Sequence, residues 1–269
     1  PASFYAHSKN RNNYYEVGLQ TATSEIDFLG GGGFKSYTNP DNPDDPHLLE
    51  ILKKQGYKIY MGYGKYCKPK CIINKKVILL PDEIYPLPYV STPYVIDRKG
   101  NELSLPYLTG KAIEFLEDNK KSNFMLVVEG GRIDHASHTN DGATVIKEVI
   151  ELGESVKLAY DFYHQHPDET LIIITSDHET GGMGLGNFNV NLNIQLLAHQ
   201  KISLASLTNM ISELKKQPET IAWDSISTIF KNKLGLWTKI PVREPEEKHR
   251  KEISTETFID KTENQVVTW

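Results

Sequence analysis

The 269-residue sequence lacks several features that would assign it to a broad class. It has only two cysteines, Cys67 and Cys71, too few for a cysteine-rich zinc site, and whether they form a local disulfide stays open. Its formal net charge of -5 gives no basic excess that would favour nucleic acid. It has no apolar run long enough to span a bilayer, no internal repeat and no low-complexity tract. A metal site in this chain must therefore use carboxylates and some of the nine histidines.

What the sequence does contain is typical of a globular protein with a sizeable core. Hydrophobic residues make up 39% of the chain and charged residues 24%. The glycine run in IDFLGGGGF (26–34) is not followed by Lys-Ser or Lys-Thr. This run therefore predicts a short strand and a loop rather than a phosphate-binding loop.

Apolar patterning predicts strands that alternate with helices. Strands are predicted within 26–34 and at 57–62, 75–81, 124–128 and 171–176, and helices at 47–55, 104–119, 140–166 and, as two or three, within 202–236. FMLVV (124–128) is apolar throughout, as expected for a strand covered on both sides, and LIIITS (171–176) is of the same kind. The alternation indicates an α/β fold with a mostly parallel sheet over residues 1–186, followed by a helical insertion or lid region at 187–269.

The last two predicted strands each end in a cluster of side chains that can bind metal. The first cluster is Glu129, Asp134 and His138, and the second is Asp177, His178 and Glu179. Ligand sites of open α/β sheets lie beyond the carboxyl ends of the strands, so one shared site is expected. Taken singly, these residues suit structural roles, and Asp177 could cap a turn. Together, polar groups at buried strand ends cost stability unless they are paired.

The chemistry of both clusters suits divalent cations. Zinc accepts imidazole nitrogen and carboxylate oxygen, whereas Glu129 offers the hard oxygen that Mg²⁺ prefers. Asp134 and His138 are four residues apart and are predicted to share one face at the start of the long helix. Two metals about 4 Å apart would stabilise the attacking and leaving oxygens of a phosphoryl transfer.

VEGGRIDHASH (128–138) and TSDHETGGM (175–183) closely resemble the two metal-binding segments of the alkaline phosphatase family. PASFYAHSKNR at the start, LGGGG and the two apolar strands also fit the family, so the resemblance covers residues 1–184 and is weak beyond them. It implies a three-layer α/β/α sandwich with a mostly parallel central sheet. It also implies hydrolysis of small phosphate monoesters through a covalent phosphoserine, with two Zn²⁺ and one Mg²⁺.

The resemblance implies a role for each matching residue. Asp134 and His138 match ligands of the first zinc, Asp177 and His178 match ligands of the second, and Glu129 matches a magnesium ligand. Arg11 matches the arginine that holds the substrate phosphate, a task for which a guanidinium fork is well shaped. His135 follows the zinc aspartate and is expected to reach the phosphate through water.

This chain also departs from the family pattern. The Asp-Ser-Ala segment that carries the nucleophile is absent, and so are further ligands of each metal. We therefore expect a piece of a larger enzyme, cut at both ends, that binds metal weakly and hydrolyses almost nothing alone. Two alternatives stay open: a phosphodiesterase or phosphonate-cleaving enzyme of the same superfamily, and a non-catalytic metal- or phosphate-binding module. The resemblance further implies a periplasmic or secreted location, and it allows a homodimer.

Overall fold

A computed structural model describes residues 2–65, 76–82, 91–118, 123–184, 194–216 and 222–237 of the chain. Cys67 and Cys71 lie outside these residues, so their pairing stays a prediction. Among the described helices, none combines the length and the apolar character needed to cross a membrane.

Three parallel strands form the described sheet. These are β1 (Phe28–Gly30), β2 (Tyr57–Met61) and β3 (Lys76–Leu80), arranged in the order β1-β3-β2. Ile78 of β3 pairs with Leu29 on one side and with Ile59 on the other. All three strands were predicted from their apolar patterns, and the parallel pairing confirms the α/β class.

Strand β3 is buried on both faces because helices cover the sheet from both sides. Ile78 and Leu80 pack with α1 (Tyr14–Thr23) and α2 (Leu48–Lys54), whereas Val77 and Leu79 pack toward α3 (Leu105–Asp118). The helix–sheet–helix arrangement provides the three layers that the resemblance implied. Helix α1 was not predicted, because its buried face consists of Tyr15, Gly18, Thr21 and Ala22 and shows no strong apolar period.

The predicted helix at 140–166 is present as α5 (Gly142–Gln165), but a separate short helix, α4 (Gly131–Ser137), precedes it. Asn140 adopts a left-handed conformation (φ 53°) between the two helices, and the Asp141 carboxylate caps α5 by accepting from the Thr144 amide. Asp134 therefore lies in α4 and His138 at its C-terminal cap. The prediction that this pair begins the long helix is wrong, because a left-handed residue interrupts the helical path.

The buried face of α5 is more polar than its sequence pattern predicted. Thr144, Glu148, Glu151 and Ser155 are buried, whereas the apolar Val149 is 49% exposed. Two residues from the segment before α3 explain why the two carboxylates can be buried. Arg98 forms an ion pair with Glu151, and the Val95 amide donates to Glu148 (2.7 Å). Burial raises the pKa of Glu148, and the Val95 amide opposes that shift.

Two carboxylates, the half-buried Asp97 and the buried Asp141, attach the helical C-terminal region to the rest of the fold. Asp97 accepts from the amide and hydroxyl of Ser203 (2.9 and 2.6 Å) and from the Ser206 hydroxyl (2.7 Å). Asp141 accepts from the Leu204 amide (2.7 Å) in addition to capping α5. Both contacts orient α6 (Leu204–Lys215), which is followed by α7 (Trp223–Leu234). Two helices were thus correctly predicted within 202–236.

The prediction of two buried strands at 124–128 and 171–176 is wrong in this structure. Neither segment pairs with β1, β2 or β3, and their side chains are largely exposed, with Met125 at 75% and Leu171 at 82%. Helix α5 packs along one side of the first segment, where the Phe124 ring lies 5.7 Å from that of Phe162. No described strand lies beside either segment, so their apolar sequence is not matched by burial.

Replacing a leucine by alanine in β3 and in the 171–176 segment tests the difference in burial between the two. Leu79→Ala should lower the free energy of unfolding by about 2–5 kcal/mol, because Leu79 is 0% exposed. Leu171→Ala should change it by about 0.5 kcal/mol or less, because most of that side chain is already in water. Urea unfolding followed by circular dichroism measures both. Equal losses for the two variants would mean that 171–176 is a buried strand after all.

Candidate metal centre

Helix α4 carries the first cluster and is held close to α5. It begins after Gly130, where an added Cβ would lie 2.9 Å from Ile133 Cδ1 and 3.3 Å from Leu152 Cδ2. A side chain at this position would have to displace the ends of the Ile133 and Leu152 side chains, so glycine lets the start of α4 pack closely on α5. The turn presents Asp134 and His138 at the end of the extended segment.

Asp134 and His138 form the first histidine–carboxylate pair. His138 Nε2 lies 3.5 Å from Asp134 Oδ2, and both side chains are open to solvent. This separation is longer than the 2.7–3.2 Å typical of an N–H···O hydrogen bond. The four-residue spacing therefore brings the two groups to one face, as predicted, without a strong bond between them.

Asp177 and His178 form the second pair. His178 Nε2 lies 3.4 Å from Asp177 Oδ2, while Nδ1 lies 3.0 Å from the carbonyl oxygen of Glu179. A carbonyl oxygen only accepts hydrogen bonds, so Nδ1 must carry the proton. The neutral His178 ring then has its lone pair on Nε2, the nitrogen that faces Asp177, and is prepared for metal binding.

The hydroxyl of Thr180 connects the two pairs. It donates to Asp134 Oδ1 (2.9 Å) and also lies 3.3 Å from His178 Nδ1. The carboxylate of Asp134 and the ring of His178 are therefore neighbours, although 43 positions separate them in the sequence. The sequence predicted that the two clusters share one site, and this contact brings them together.

Gly181 allows the loop after Thr180 to lie directly on α4. A Cβ at this position would lie 2.7 Å from the Ser137 carbonyl oxygen, which is too close for any residue larger than glycine. The Glu179 carboxylate accepts from the Gly182 amide (2.6 Å), and backbone donors, led by that of Gly182, lower its pKa. Glu179 thus holds the loop in shape, in agreement with the structural role that its sequence setting suggested.

Both pairs have the separation expected of two ligands on one zinc ion. Ligands bound at about 2.0–2.2 Å to a tetrahedral zinc lie roughly 3.3–3.6 Å apart. The two observed separations, 3.5 and 3.4 Å, fall in this range. Within the described residues, no group of three or more His, Cys, Asp or Glu side chains is arranged to hold a metal. The chain therefore presents two matched half-sites, and the residues present fit zinc.

Glu129 and His135 lie around these half-sites. Glu129 directly follows the 124–128 segment. Its Oε1 would lie 3.2 Å from a Cβ added at Gly131, so the side chain folds toward the start of α4. His135 follows Asp134 in α4, and its pKa is lowered by burial first and by the Arg132 charge second. The Lys35 charge also lowers the pKa of His135, and Lys35 Nζ lies 4.9 Å from the centre of the Tyr14 ring in α1.

Arg11 lies in the exposed turn just before α1. It makes no ion pair with another residue in the part of the chain that the structure describes. Among the described residues, no hydrogen bond or ion pair joins Arg11 to either half-site. Its role in binding phosphate stays a prediction.

Arg132 was not singled out from the sequence, yet it supports α4 from inside. Its guanidinium carbon lies 3.4 Å from the centre of the buried Tyr94 ring, a cation–π contact. Its Nη1 lies 3.3 Å from His135 Nδ1, whereas Nε is buried without a hydrogen-bond partner.

Thr180 was missed as well, although it directly follows the Asp177–Glu179 cluster, because a threonine is a weak metal ligand and its role depends on the fold.

Comparison with known proteins agrees with this geometry. The family model for alkaline phosphatase matches residues 85–263. The chain belongs to the alkaline phosphatase family. The match extends well past residue 184, into the part where the resemblance by motif was weak.

Individual alkaline phosphatases match over most of this chain. Alkaline phosphatase 4 of Bacillus subtilis (strain 168) is 31% identical over 230 residues, which are 82% of this chain and 46% of that protein. A cold-active alkaline phosphatase from Shewanella sp. superposes with a TM-score of 0.66 at 28% identity, covering 87% of this chain and 52% of the other. A mutant of the TAB5 alkaline phosphatase with Mg bound in its M3 site is 34% identical with a TM-score of 0.54, covering 68% and 49%. The chain thus spans about half the length of the relatives it matches.

The bridging hydroxyl can be tested by comparing Thr180→Val with Thr180→Ser. Valine removes the donor to Asp134, so zinc affinity should fall by roughly 10–100-fold, the usual cost of losing a bond to a ligating carboxylate. Serine keeps a hydroxyl at the same position and should retain most of the affinity. Competition titration with a chromophoric zinc chelator measures both. Equal affinities for the two variants would show that the hydroxyl does not organise the site.

In metal-free protein, the pKa values of His178 and His135 should be shifted in opposite directions. The Glu179 carbonyl first, and the Asp177 charge second, raise the pKa of His178 above its ordinary value of 6.5. Burial and Arg132 lower that of His135 below the same value. NMR titration of the imidazole signals measures both midpoints, and Asp177→Asn should lower only that of His178. Because protons compete for Nε2, zinc affinity should rise with pH until His178 is neutral. Identical midpoints for both rings would contradict the described hydrogen bonding.

Proposed function

We propose that this chain is the metal-binding part of a phosphate monoesterase that uses two Zn²⁺ and one Mg²⁺. The observation that carries the proposal is the contact of the Thr180 hydroxyl with both Asp134 and His178, which joins two half-sites of zinc-compatible spacing. Membership of the alkaline phosphatase family and the Mg-containing relative support the same chemistry.

Each half-site residue has a defined part in this proposal. Asp134 and His138 hold the first zinc, Asp177 and His178 hold the second, and Glu129 binds magnesium. Bound zinc would supply a Lewis acid that lowers the pKa of a hydroxyl or a water. The protein's own contribution is to orient the donors: Thr180 fixes one oxygen of Asp134, and the Glu179 carbonyl keeps the lone pair of His178 on Nε2.

Substrate binding is assigned in this proposal to Arg11 and His135. Arg11 would donate two parallel hydrogen bonds to the phosphate, as a guanidinium fork does. His135 would contact the phosphate through water, held by Arg132 at its Nδ1 so that Nε2 faces outward as the donor. The nucleophilic serine is proposed to come from polypeptide outside residues 1–269, since no Asp-Ser-Ala segment occurs in them.

One observation favours a second candidate, a non-catalytic metal-binding module. The described residues supply two ligands for each zinc rather than the three or four of a complete site. A module of this kind would bind zinc and phosphate without turnover. A periplasmic or secreted location and a homodimer are proposed from the family alone.

Turnover of p-nitrophenyl phosphate with added Zn²⁺ and Mg²⁺ separates these functions. We expect almost no turnover by the 269-residue chain alone, and substantial turnover once it is joined to an Asp-Ser-Ala segment from a relative. In the active form, His178→Ala should reduce the rate by about three orders of magnitude or more, because such residues act as a unit. The matched control is His164→Ala, which removes an imidazole from α5 without touching either half-site.

Three results would contradict the proposal in different ways. Robust turnover by the chain alone that is lost in His178→Ala would place the nucleophile within residues 1–269. Zinc binding without turnover in the joined form would favour the binding module. Faster cleavage of bis(p-nitrophenyl) phosphate than of the monoester would favour the phosphodiesterase of the same superfamily.

A further inference from the structure

Contacts from two distant parts of the chain converge on three residues at the start of α5. These residues, 140–142, are here called the junction. Asn140 has the left-handed conformation (φ 53°) that interrupts the helical path, Asp141 is only 2% exposed, and Gly142 begins α5. One set of contacts comes from the loop that carries Thr180, and the other comes from the helical C-terminal region.

The loop at 180–183 contacts the junction at two points. A Cβ added at Gly181 would lie 3.3 Å from Asn140 Oδ1, in addition to its close approach to the end of α4. Further along the loop, Met183 Cε would lie 3.2 Å from a Cβ added at Gly142. The loop of the candidate metal centre is therefore seated on the residues that begin α5.

The helical C-terminal region reaches the junction at the same glycine. Leu197 belongs to a short 3₁₀ helix (Ile194–His199) that precedes α6. Its Cδ1 would lie 3.5 Å from the Cβ added at Gly142, the position that Met183 also approaches. The side chains of Leu197 and Met183 therefore lie next to each other over Gly142.

Asp141 holds the C-terminal region at this position. Its Oδ1 accepts from Gln200 Nε2 (2.6 Å) and from the Thr144 amide (3.3 Å), and its Oδ2 accepts from the Leu204 amide (2.7 Å). Hydrogen bonds to an ionised acceptor are stronger than those between neutral groups. The Gln200 amide in turn donates to the Leu197 carbonyl (3.2 Å), so Asp141 also fixes the position of Leu197.

The loop itself is poorly suited to hold Thr180 without this support. Two adjacent glycines, at 181 and 182, follow Thr180 directly, and glycine leaves the backbone more conformational freedom than any other residue. Met183 is 51% exposed, so the loss of a single neighbour would free most of its side chain. An outside contact at Met183 therefore helps to keep the Thr180 hydroxyl in place.

We propose that Leu197 and Gln200 are positioning residues of the candidate metal centre, which hold the loop at 180–183 through the junction. Docking of the C-terminal region limits the movement of this loop and so keeps the Thr180 hydroxyl on Asp134. The proposal rests on the proposed function, because the site that it supports is the same metal centre. Zinc binding and docking of the C-terminal region should strengthen each other by equal factors, as linkage requires.

Amide hydrogen exchange of the metal-free chain tests the positioning role. The Gly182 amide donates to the Glu179 carboxylate (2.6 Å), so its protection reports on the shape of the loop. Leu197→Ala should speed exchange at 180–183 by roughly tenfold, whereas exchange in β3 should not change. The matched control is Ile194→Ala, which shortens a side chain of the same 3₁₀ helix that is already 48% exposed. Its exchange should equal that of the unaltered chain.

Gln200 provides an independent variant. Gln200→Leu removes the donor to Asp141 at nearly the same side-chain size, and it should speed exchange at 180–183 in the same way as Leu197→Ala. The matched control is Gln165→Leu at the opposite end of α5, where the glutamine is exposed. This control should leave exchange in the loop unchanged.

Competition titration with a chromophoric zinc chelator measures the consequence for metal binding. Leu197→Ala should lower zinc affinity by roughly tenfold, as the loss of a group that supports a metal ligand does. In a chain that already carries Thr180→Val, the same substitution should have little further effect, because both changes remove one and the same support of Asp134.

Four results would contradict the proposal or the function on which it rests. Unchanged exchange at 180–183 in both Leu197→Ala and Gln200→Leu would overturn the positioning role. Equally faster exchange in β3 would mean that the two residues support the whole fold rather than the loop. Additive losses of zinc affinity in the double variant would show that Leu197 does not act through Thr180. Faster exchange in the loop without zinc binding by the unaltered chain would contradict the proposed function, while the contact between the C-terminal region and the loop would stand.

Discussion

One hydroxyl group connects the two halves of the candidate centre. Thr180 contacts Asp134 on one side and His178 on the other, so the loop that follows residues 171–176 is tied to helix α4. Without this contact the two histidine–carboxylate pairs would be attached to separate exposed segments, each free to move independently. The close approach of Gly181 to the Ser137 carbonyl makes the contact possible. The packing of a loop on a short helix therefore brings the two histidine–carboxylate pairs together.

The sequence predicted the proximity of the two histidine–carboxylate pairs better than it predicted the structure around them. The prediction of both pairs, and of their closeness, came from the sequence: ionisable groups directly follow two apolar runs. Helix α4 did not follow, because a left-handed residue at Asn140 interrupts what looks like one continuous helix. The roles of Thr180 and Arg132 could not be predicted either, because both residues act through contacts with residues distant in sequence.

The burial of the apolar segments could not be predicted from composition alone. FMLVV is apolar at every position and KVILL begins with a lysine, yet among the described strands and helices only KVILL has strands on both sides and helices on both faces. Periodicity shows what a segment is suited to, whereas burial depends on which neighbours are present. The polar face of α5 illustrates the converse, since Glu148 and Glu151 are buried because Val95 and Arg98 supply partners.

The openness of the apolar segments and the incompleteness of the metal centre have a common physical origin. Asp134 and His138 follow residues 124–128, and Asp177 and His178 follow residues 171–175, and neither segment pairs with a described strand. Under the proposed function, the metal ions held by the two pairs must restrict both segments, and they lose affinity for the conformational freedom that they remove. The hydrogen bond from Thr180 to Asp134 already restricts the two segments relative to each other, so part of this cost is met before metal binds.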